Sequence, residues 1–117
     1  MADESLHLIA TLTVKEGKLE QVIDNFPFLL EALKVITATV QQVEPDVLRY
    51  FAFQTKNSEG QDQLVMIEKY ANADAHKAHI ATSHFQNFVE QAKDLLAGPL
   101  DIKFGPFVVG YESKANL

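Results

Sequence analysis

The chain has 117 residues, of which 47% are hydrophobic and 22% charged, as expected for one soluble globular domain. It carries 16 acidic and 10 basic residues, giving a net charge of −6. Nucleic acids and anionic membranes are bound by clustered basic side chains, so the composition argues against both partners. The absence of cysteine excludes disulfides, thiolate metal sites and a cysteine nucleophile.

The two ends of the sequence bear on localisation. The first ten residues lack the positive and apolar regions of a signal peptide, and no window is apolar enough to span a membrane. The final Ala115-Asn116-Leu117 is similar to a peroxisomal address of the Ser-Lys-Leu type. We therefore expect a cytoplasmic protein, or a peroxisomal one if this tripeptide is read. One domain is predicted over residues 1–117, with a core at about 6–111 and a polar tail at 112–117.

Hydrophobic periodicity predicts the first half of the fold. Residues 6–14 alternate between two faces and indicate a strand. Apolar residues at helical spacing follow from Leu19 to Val40. Because proline removes a backbone donor, we expect a kink or a junction of two helices near Asn25–Pro27. Further apolar residues lie off the main stripe of this helix, which favours cover by a partner subunit.

The second half contains three more strands and a helical region in two parts. Residues 47–55 and 63–70 are predicted strands joined by a polar turn. Asn72 or Asp74 caps a helix over residues 73–81, and Ser83 with Gln86 matches a capping box that restarts it. Residues 100–111 are a last strand, which Pro106 confines to a sheet edge or a bulge.

The order of elements is strand, helix, strand, strand, helix, strand. This order is typical of an α+β fold of the ferredoxin-like, split-βαβ type, in which both helices pack on one face of an antiparallel sheet. The other sheet face would be too apolar to stay open to solvent and too polar to form a dry core. A second sheet packed against it would cover it and enclose a cavity. The residues predicted for that face are His7, Ile9, Thr11, Met66, Glu68 and Tyr70.

Two residues are the candidate catalytic groups. Burial of Glu68 would raise its pKa toward neutrality, as suits a general base or acid, although buried carboxylates also organise structure. His79 lies on the inner side of the second helical region, where an imidazole could remove a phenolic or enolic proton. The alternative for His79 is a structural histidine bonded to Glu68 or to the backbone.

The remaining candidates are predicted to line a substrate pocket, since small-molecule sites combine aromatic walls with a few polar groups. Aromatic residues at such positions are also common in plain cores. A metal site built from His76, His79, His84 and Glu68 is not predicted, because no zinc pattern such as HExxH is present. The predicted pocket-lining residues are His7, Phe51, Met66, Tyr70 and His84.

The sequence resembles the antibiotic biosynthesis monooxygenase (ABM) family, whose members include quinol monooxygenases. The likeness rests on residues 12–18 and 47–50, and most densely on residues 67–70, 75–79 and 83–85. It implies a homodimeric α/β barrel that oxygenates a small cyclic or quinol-like substrate in a pocket between sheet and helices, without flavin, haem or metal. His79 or Glu68 would be the base, and Tyr70 and His7 would orient a substrate oxygen.

Two other functions fit the same sequence. One is a non-catalytic binding or stress-associated dimeric module, for which the apolar first helix would mark a partner surface. The other is an isomerase or lyase that uses the same histidine and glutamate as acid and base without O₂.

Overall fold

A four-stranded sheet with three helices forms the body of the protein. The computed structural model describes residues 3–23 and 26–114. The elements along the chain are β1 (Leu6–Thr13), β2 (Val22–Ile23), β3 (Phe26–Pro27), α1 (Phe28–Val43), β4 (Val47–Lys56), β5 (Asp62–Tyr70), α2 (Ala73–Ile80), α3 (Ser83–Ala92), a 3₁₀ turn (Lys93–Leu95) and β6 (Asp101–Pro106). The predicted α+β, ferredoxin-like order is confirmed, with β2 and β3 as a small additional hairpin.

The strands of the main sheet run in the order β4-β5-β1-β6, and every neighbouring pair is antiparallel. The edge position expected from Pro106 is confirmed, because β6 pairs with β1 alone and Pro106 is its last residue. The strand is shorter than the predicted 100–111, since a proline has no N–H to continue a ladder.

The hydrophobic core lies between one sheet face and the helices. On β1, Leu8, Ala10 and Leu12 are buried at alternate positions, as a strand of period 2 requires. The face of α1 that covers them follows the helical repeat, and α1 also packs against α3. Its buried residues are Leu29, Ala32, Leu33, Ile36 and Val40.

Strand register corrects the predicted composition of the second sheet face. Glu68 pairs with Leu8 and Met66 with Ala10, so these β5 side chains face the helices together with the core of β1. His7 pairs instead with Lys69, and Ile9 with Ile67. The prediction that His7, Ile9 and Thr11 share a face with Met66, Glu68 and Tyr70 is therefore wrong, because the two sets lie on opposite sides of the sheet.

The predicted helical run from Leu19 to Val40 is confirmed from Phe28 onward, and over the described residues before Phe28 it is wrong. The backbone at Val22–Ile23 pairs with Phe26–Pro27, and α1 begins only at Phe28. Pro27 thus precedes a helix start, where its lack of an N–H costs nothing, and it kinks no helix. Asp24 and Asn25, on which part of that prediction falls, lie outside the described residues.

One of the two helix-cap predictions is confirmed. The Asn72 side chain accepts a hydrogen bond from the backbone N–H of Ala75 at 2.8 Å and caps α2. The capping box at Ser83 is wrong, because the cap of α3 is Thr82, whose hydroxyl accepts from the N–H of Phe85 at 3.2 Å. A Ser-Thr pair offers two adjacent cap candidates, and sequence spacing does not choose between them.

The C-terminal segment folds back onto the sheet. Glu112 forms ion pairs with Arg49 at 2.6 Å and Lys69 at 3.0 Å, so the predicted tail is tied down at its first residue. Ala115-Asn116-Leu117 lie outside the described residues, and the peroxisomal address stays a prediction. Within residues 3–23 and 26–114, no helix has the length and apolarity to cross a membrane.

Candidate functional site

The candidate site is centred on His79, in the last turn of α2. The Asn72 cap fixes the start of the helix, and the buried residues Ala75 and His79, four positions apart, form its inner face. His79 is 1% exposed. Its inward orientation, predicted from the sequence, therefore agrees with the structure.

Glu44 joins His79 to His84 from a third part of the chain, directly after α1. Its carboxylate contacts Nδ1 of His79 at 3.0 and 3.1 Å and Nε2 of His84 at 2.5 Å. The side chain of Glu44 is 11% exposed and that of His84 is 20% exposed. A carboxylate between two imidazoles fixes both rings, and we call these three residues the Glu44 cluster.

The two nitrogens of His79 have different surroundings. Because a carboxylate accepts hydrogen bonds, its contact with Nδ1 favours the tautomer that carries the proton there. Nε2 is buried and has no hydrogen-bond partner among the described residues. Burial, the largest influence, lowers the pKa of His79, whereas the hydrogen bond that its Nδ1 donates to Glu44 raises it. The ring is therefore neutral at pH 7, with its lone pair on Nε2.

Aromatic rings surround this imidazole. Tyr50 and Phe85 meet it edge-on at centroid distances of 5.3 and 5.0 Å, and Tyr70 lies at 5.6 Å. His76 is half-buried, and its ring packs on Tyr70 at 5.1 Å. The wall around Nε2 is thus mainly aromatic, with phenol groups as its polar atoms.

Glu68 and Tyr70 form a second polar pair on the helix-facing side of β5. The Tyr70 hydroxyl donates to Oε1 of Glu68 at 2.5 Å, and both residues are buried. Burial raises the pKa of Glu68 from 4.5 to about 7, although the hydrogen bond from Tyr70 opposes that shift. Burial also raises the pKa of Tyr70 far above its ordinary value, and the charge of Glu68 adds to this effect. Tyr70 thus stays a donor, while Glu68 can exchange a proton near neutrality.

Tyr50 lies between His79 and the Glu68–Tyr70 pair. It lies beside Glu68 on β4, its ring touches His79, and burial followed by the charges of Glu68 and Glu44 raises its pKa well above the usual range. Tyr50 also lines a cleft of about 410 Å³ between α1 and β4. His84 lines a smaller cleft of about 160 Å³ between α1 and α3. The edge of the site therefore borders one cleft at Tyr50 and another at His84.

The structure does not gather the five predicted pocket-lining residues into one pocket. Met66 and Tyr70 lie in the helix-facing core, and His84 joins the Glu44 cluster. His7 and Phe51 lie on the opposite sheet face, where His7 contacts Ser5 and the ring of Phe107, and Phe51 is half exposed. The expectation that His7 and Tyr70 orient one substrate oxygen is wrong for the same reason.

Two residues of the site were missed from the sequence, Glu44 and Tyr50. A signal existed for Glu44, because the negative end of a helix dipole disfavours an acidic residue at the helix C-terminus. An acid in that position calls for a compensating partner, which the two histidines provide. Tyr50 had no such signal, since aromatic residues are common on strands.

The Glu44 cluster is also the one set of described residues whose ligand atoms converge closely enough for a metal ion. One carboxylate oxygen and one ring nitrogen from each histidine lie within 4.8 Å of one another. This set differs from the four residues weighed from the sequence, because Glu68 is bonded to Tyr70 and His76 packs on aromatic rings.

Comparison with known proteins places the chain in a family. The profile of the antibiotic biosynthesis monooxygenase family matches residues 5–91. The Bacillus subtilis (strain 168) protein YcnE, whose name carries a provisional monooxygenase assignment, is 35% identical over 95 residues, which cover 81% of this chain and 90% of YcnE.

Solved structures agree with this match. A protein of Caulobacter crescentus, described provisionally as an antibiotic biosynthesis monooxygenase, has a TM-score of 0.75 and 25% identity, with 92% of both chains covered. A Pseudomonas aeruginosa protein has a TM-score of 0.71 and 25% identity, over 91% of this chain and 96% of its own. With its fold, its family profile and its sequence relatives in agreement, the chain belongs to the antibiotic biosynthesis monooxygenase family.

Proposed function

We propose that the protein is a cofactor-independent monooxygenase for a small cyclic, quinol-like substrate, with His79 as the proton acceptor. One observation carries this proposal: His79 is a neutral, buried imidazole whose Nδ1 is held by Glu44 and whose Nε2 has no partner among the described residues. An unpaired buried acceptor costs folding free energy, so its presence favours a functional role. A phenolic or enolic hydroxyl of a substrate would supply the missing donor.

The chemistry requires nothing beyond a base, an organic reductant and O₂. Nε2 takes the hydroxyl proton, and the resulting anion passes one electron to O₂, which gives a substrate radical and superoxide. These two combine as a carbon-bound peroxide, which then loses water. One oxygen atom enters the ring, the other leaves as water, and a hydroquinone becomes a hydroxyquinone. Two hydrogen atoms leave the substrate, so atoms and electrons balance.

Glu68 would serve as the second proton carrier. With a pKa of about 7, it can accept a proton at neutral pH and return it when water leaves the peroxide. Tyr50, held as a neutral phenol, would donate a hydrogen bond to a substrate oxygen, while Tyr70 donates its single hydroxyl proton to Glu68. The aromatic wall would keep water from the radical pair.

The cleft beside Tyr50 would admit the substrate. Its volume of about 410 Å³ lies in the range usual for small-molecule sites, and its other walls include Thr37, Gln41 and Arg49. The ring of Tyr50 separates this cleft from His79, so we expect Tyr50 to move when substrate enters.

Oxygen consumption by EDTA-treated protein with a panel of hydroquinones and naphthoquinols tests the proposal. We expect kcat/KM to fall at least 100-fold in His79→Gln, because general bases contribute about 10²–10⁴ to rates. Glu90→Gln, on the exposed face of α3, is the matched surface control and is expected to keep its activity. Turnover without O₂ would support an isomerase or lyase instead. Binding without turnover would support a non-catalytic module, and equal activity of His79→Gln would refute the base assignment.

We also propose that the protein is a homodimer formed through the open sheet face. Phe51 and Phe53 are 49% and 48% exposed on this face, next to the partly exposed Ile9 and Ile67. A contiguous apolar surface of this kind marks an interaction site in a small protein. The second, self-complementary copy is the occupant that the family's barrel architecture implies.

A further inference from the structure

The Glu44 cluster offers a ligand set of a recognised kind, two imidazoles and one carboxylate. Its members come from the end of α1, the last turn of α2 and the first turn of α3, and each is held by its own element. Nδ1 of His79 and Nε2 of His84 both contact Oε2 of Glu44, at 3.0 and 2.5 Å. Because both ring nitrogens contact one carboxylate oxygen, the three possible ligand atoms lie close together.

We propose that Glu44, His79 and His84 bind one Zn²⁺ ion, with a fourth position open to water. Two imidazoles and a carboxylate suit zinc and its neighbours in the transition series, whereas Mg²⁺ and Ca²⁺ require mainly oxygen ligands. Zinc bonds of about 2.0–2.1 Å place tetrahedral ligands roughly 3.4 Å apart. The ligand atoms lie within 4.8 Å of one another, so small side-chain rotations would bring them to this spacing.

Burial and access favour a bound ion here. The side chain of His79 is 1% exposed, so water competes little with it for a bound ion. The side chains of Glu44 and His84 are 11% and 20% exposed. The cleft of about 160 Å³ beside His84 gives an ion a route from solvent. The negative charge of Glu44 offsets part of the ionic charge, as a buried metal site needs.

Zinc at this site would change the tautomer of His79. An ion on Nδ1 requires that nitrogen to be unprotonated, so the ring proton moves to Nε2 and the free lone pair there is lost. This part rests on the proposed function, because it makes zinc an inhibitor of the proposed base. The binding of zinc itself does not depend on that function.

Calorimetric titration of EDTA-treated, dialysed full-length protein with ZnCl₂ tests the site, and visible absorption of bound Co²⁺ reports its geometry. We expect one ion per chain and tetrahedral cobalt bands. Glu44→Gln and His84→Asn are each expected to weaken binding at least 10-fold. His76→Asn, which removes a nearby histidine outside the cluster, is the matched control and is expected to bind zinc within two-fold of the parent.

Several outcomes would overturn the zinc site: no stoichiometric binding, unchanged affinity in Glu44→Gln and His84→Asn, or loss of binding in His76→Asn. Circular dichroism of each variant separates lost ligation from lost folding, and His84→Asn, the most exposed ligand position, keeps the test open if Glu44→Gln fails to fold. Stoichiometric zinc binding by a protein whose zinc-free form shows no oxygenase activity would refute the proposed function and leave the zinc site standing. Full oxygenase activity at saturating zinc would refute the tautomer coupling alone.

Discussion

Replacement of Glu68 by glutamine tests the electrostatics of the site without reference to any substrate. Burial holds the pKa of Glu68 at about 7, well above its ordinary 4.5. Below pH 4.5 the carboxyl is neutral in both the folded and the unfolded chain. As the pH rises, the unfolded chain ionises first while the folded protein retains its proton. The folded state therefore loses stability through this window, and the loss is complete above about pH 7.

The size of the effect follows from the difference between the pKa of Glu68 in the unfolded and in the folded chain. Each pKa unit corresponds to 1.36 kcal/mol, so the displacement from 4.5 to about 7 amounts to about 3 kcal/mol. Only 7% of Glu68 is exposed, and solvent screening therefore reduces this figure little. Glutamine keeps the shape of the side chain but does not ionise. Its stability relative to the parent is expected to rise by about 2–3 kcal/mol between pH 5 and pH 8.

Urea unfolding at pH 5 and pH 8, at one fixed protein concentration, measures this difference. Glu90→Gln is the matched control, since its carboxylate lies on the surface, and its stability relative to the parent is expected to stay flat across the same range. If Glu68→Gln also tracked the parent within about 0.5 kcal/mol at both pH values, the carboxyl of Glu68 would titrate normally. This result would refute the role of Glu68 as a proton carrier at neutral pH.

Three further predictions concern single contacts. Tyr70→Phe removes the hydrogen-bond donor that favours the charged form of Glu68. The midpoint of the Glu68 titration, followed by carbon NMR, is therefore expected at a higher pH than in the parent. An unchanged or lower midpoint would contradict the contact. Asn72→Ala is expected to cost about 1 kcal/mol of unfolding free energy and Asn72→Asp only a few tenths, and equal losses would show that the cap contributes little. Phe51→Glu places a charge on the open sheet face, and light scattering on eluted protein is expected to give the mass of one chain rather than two; an unchanged dimer would place the interface elsewhere.

Most of the fold was predictable because its signals are local. Alternation in residues 6–14 and 63–70, turn residues between strands and the Asn72 cap depend on neighbours in sequence, and each prediction agrees with the structure to within a residue or two. The helix predicted from Leu19 failed because its apolar spacing fits two structures. The backbone instead forms a short β2–β3 hairpin, and the helix begins at Phe28.

The site was predictable only in part. His79 was predicted on the inner side of its helix, and it is buried. Glu68 is also buried, but it was predicted on the sheet face away from the helices, whereas it faces them. The grouping around them was wrong, because alternation shows which residues share a face within one strand but not how two strands align. Register sets that alignment, and it separates His7 from Glu68.

By itself, the sequence determined the order of elements and the family resemblance, because both follow from local patterns along the chain. Only the tertiary structure decided the partner of His79. Glu44 is 35 positions away in the chain, and it reaches the imidazole because α1 ends beside α2 and α3 on the same face of the sheet. A contact between segments so far apart leaves no periodic trace in either one. The chain thus encodes its strands and helices locally, whereas the state of the Nε2 lone pair depends on how those elements pack.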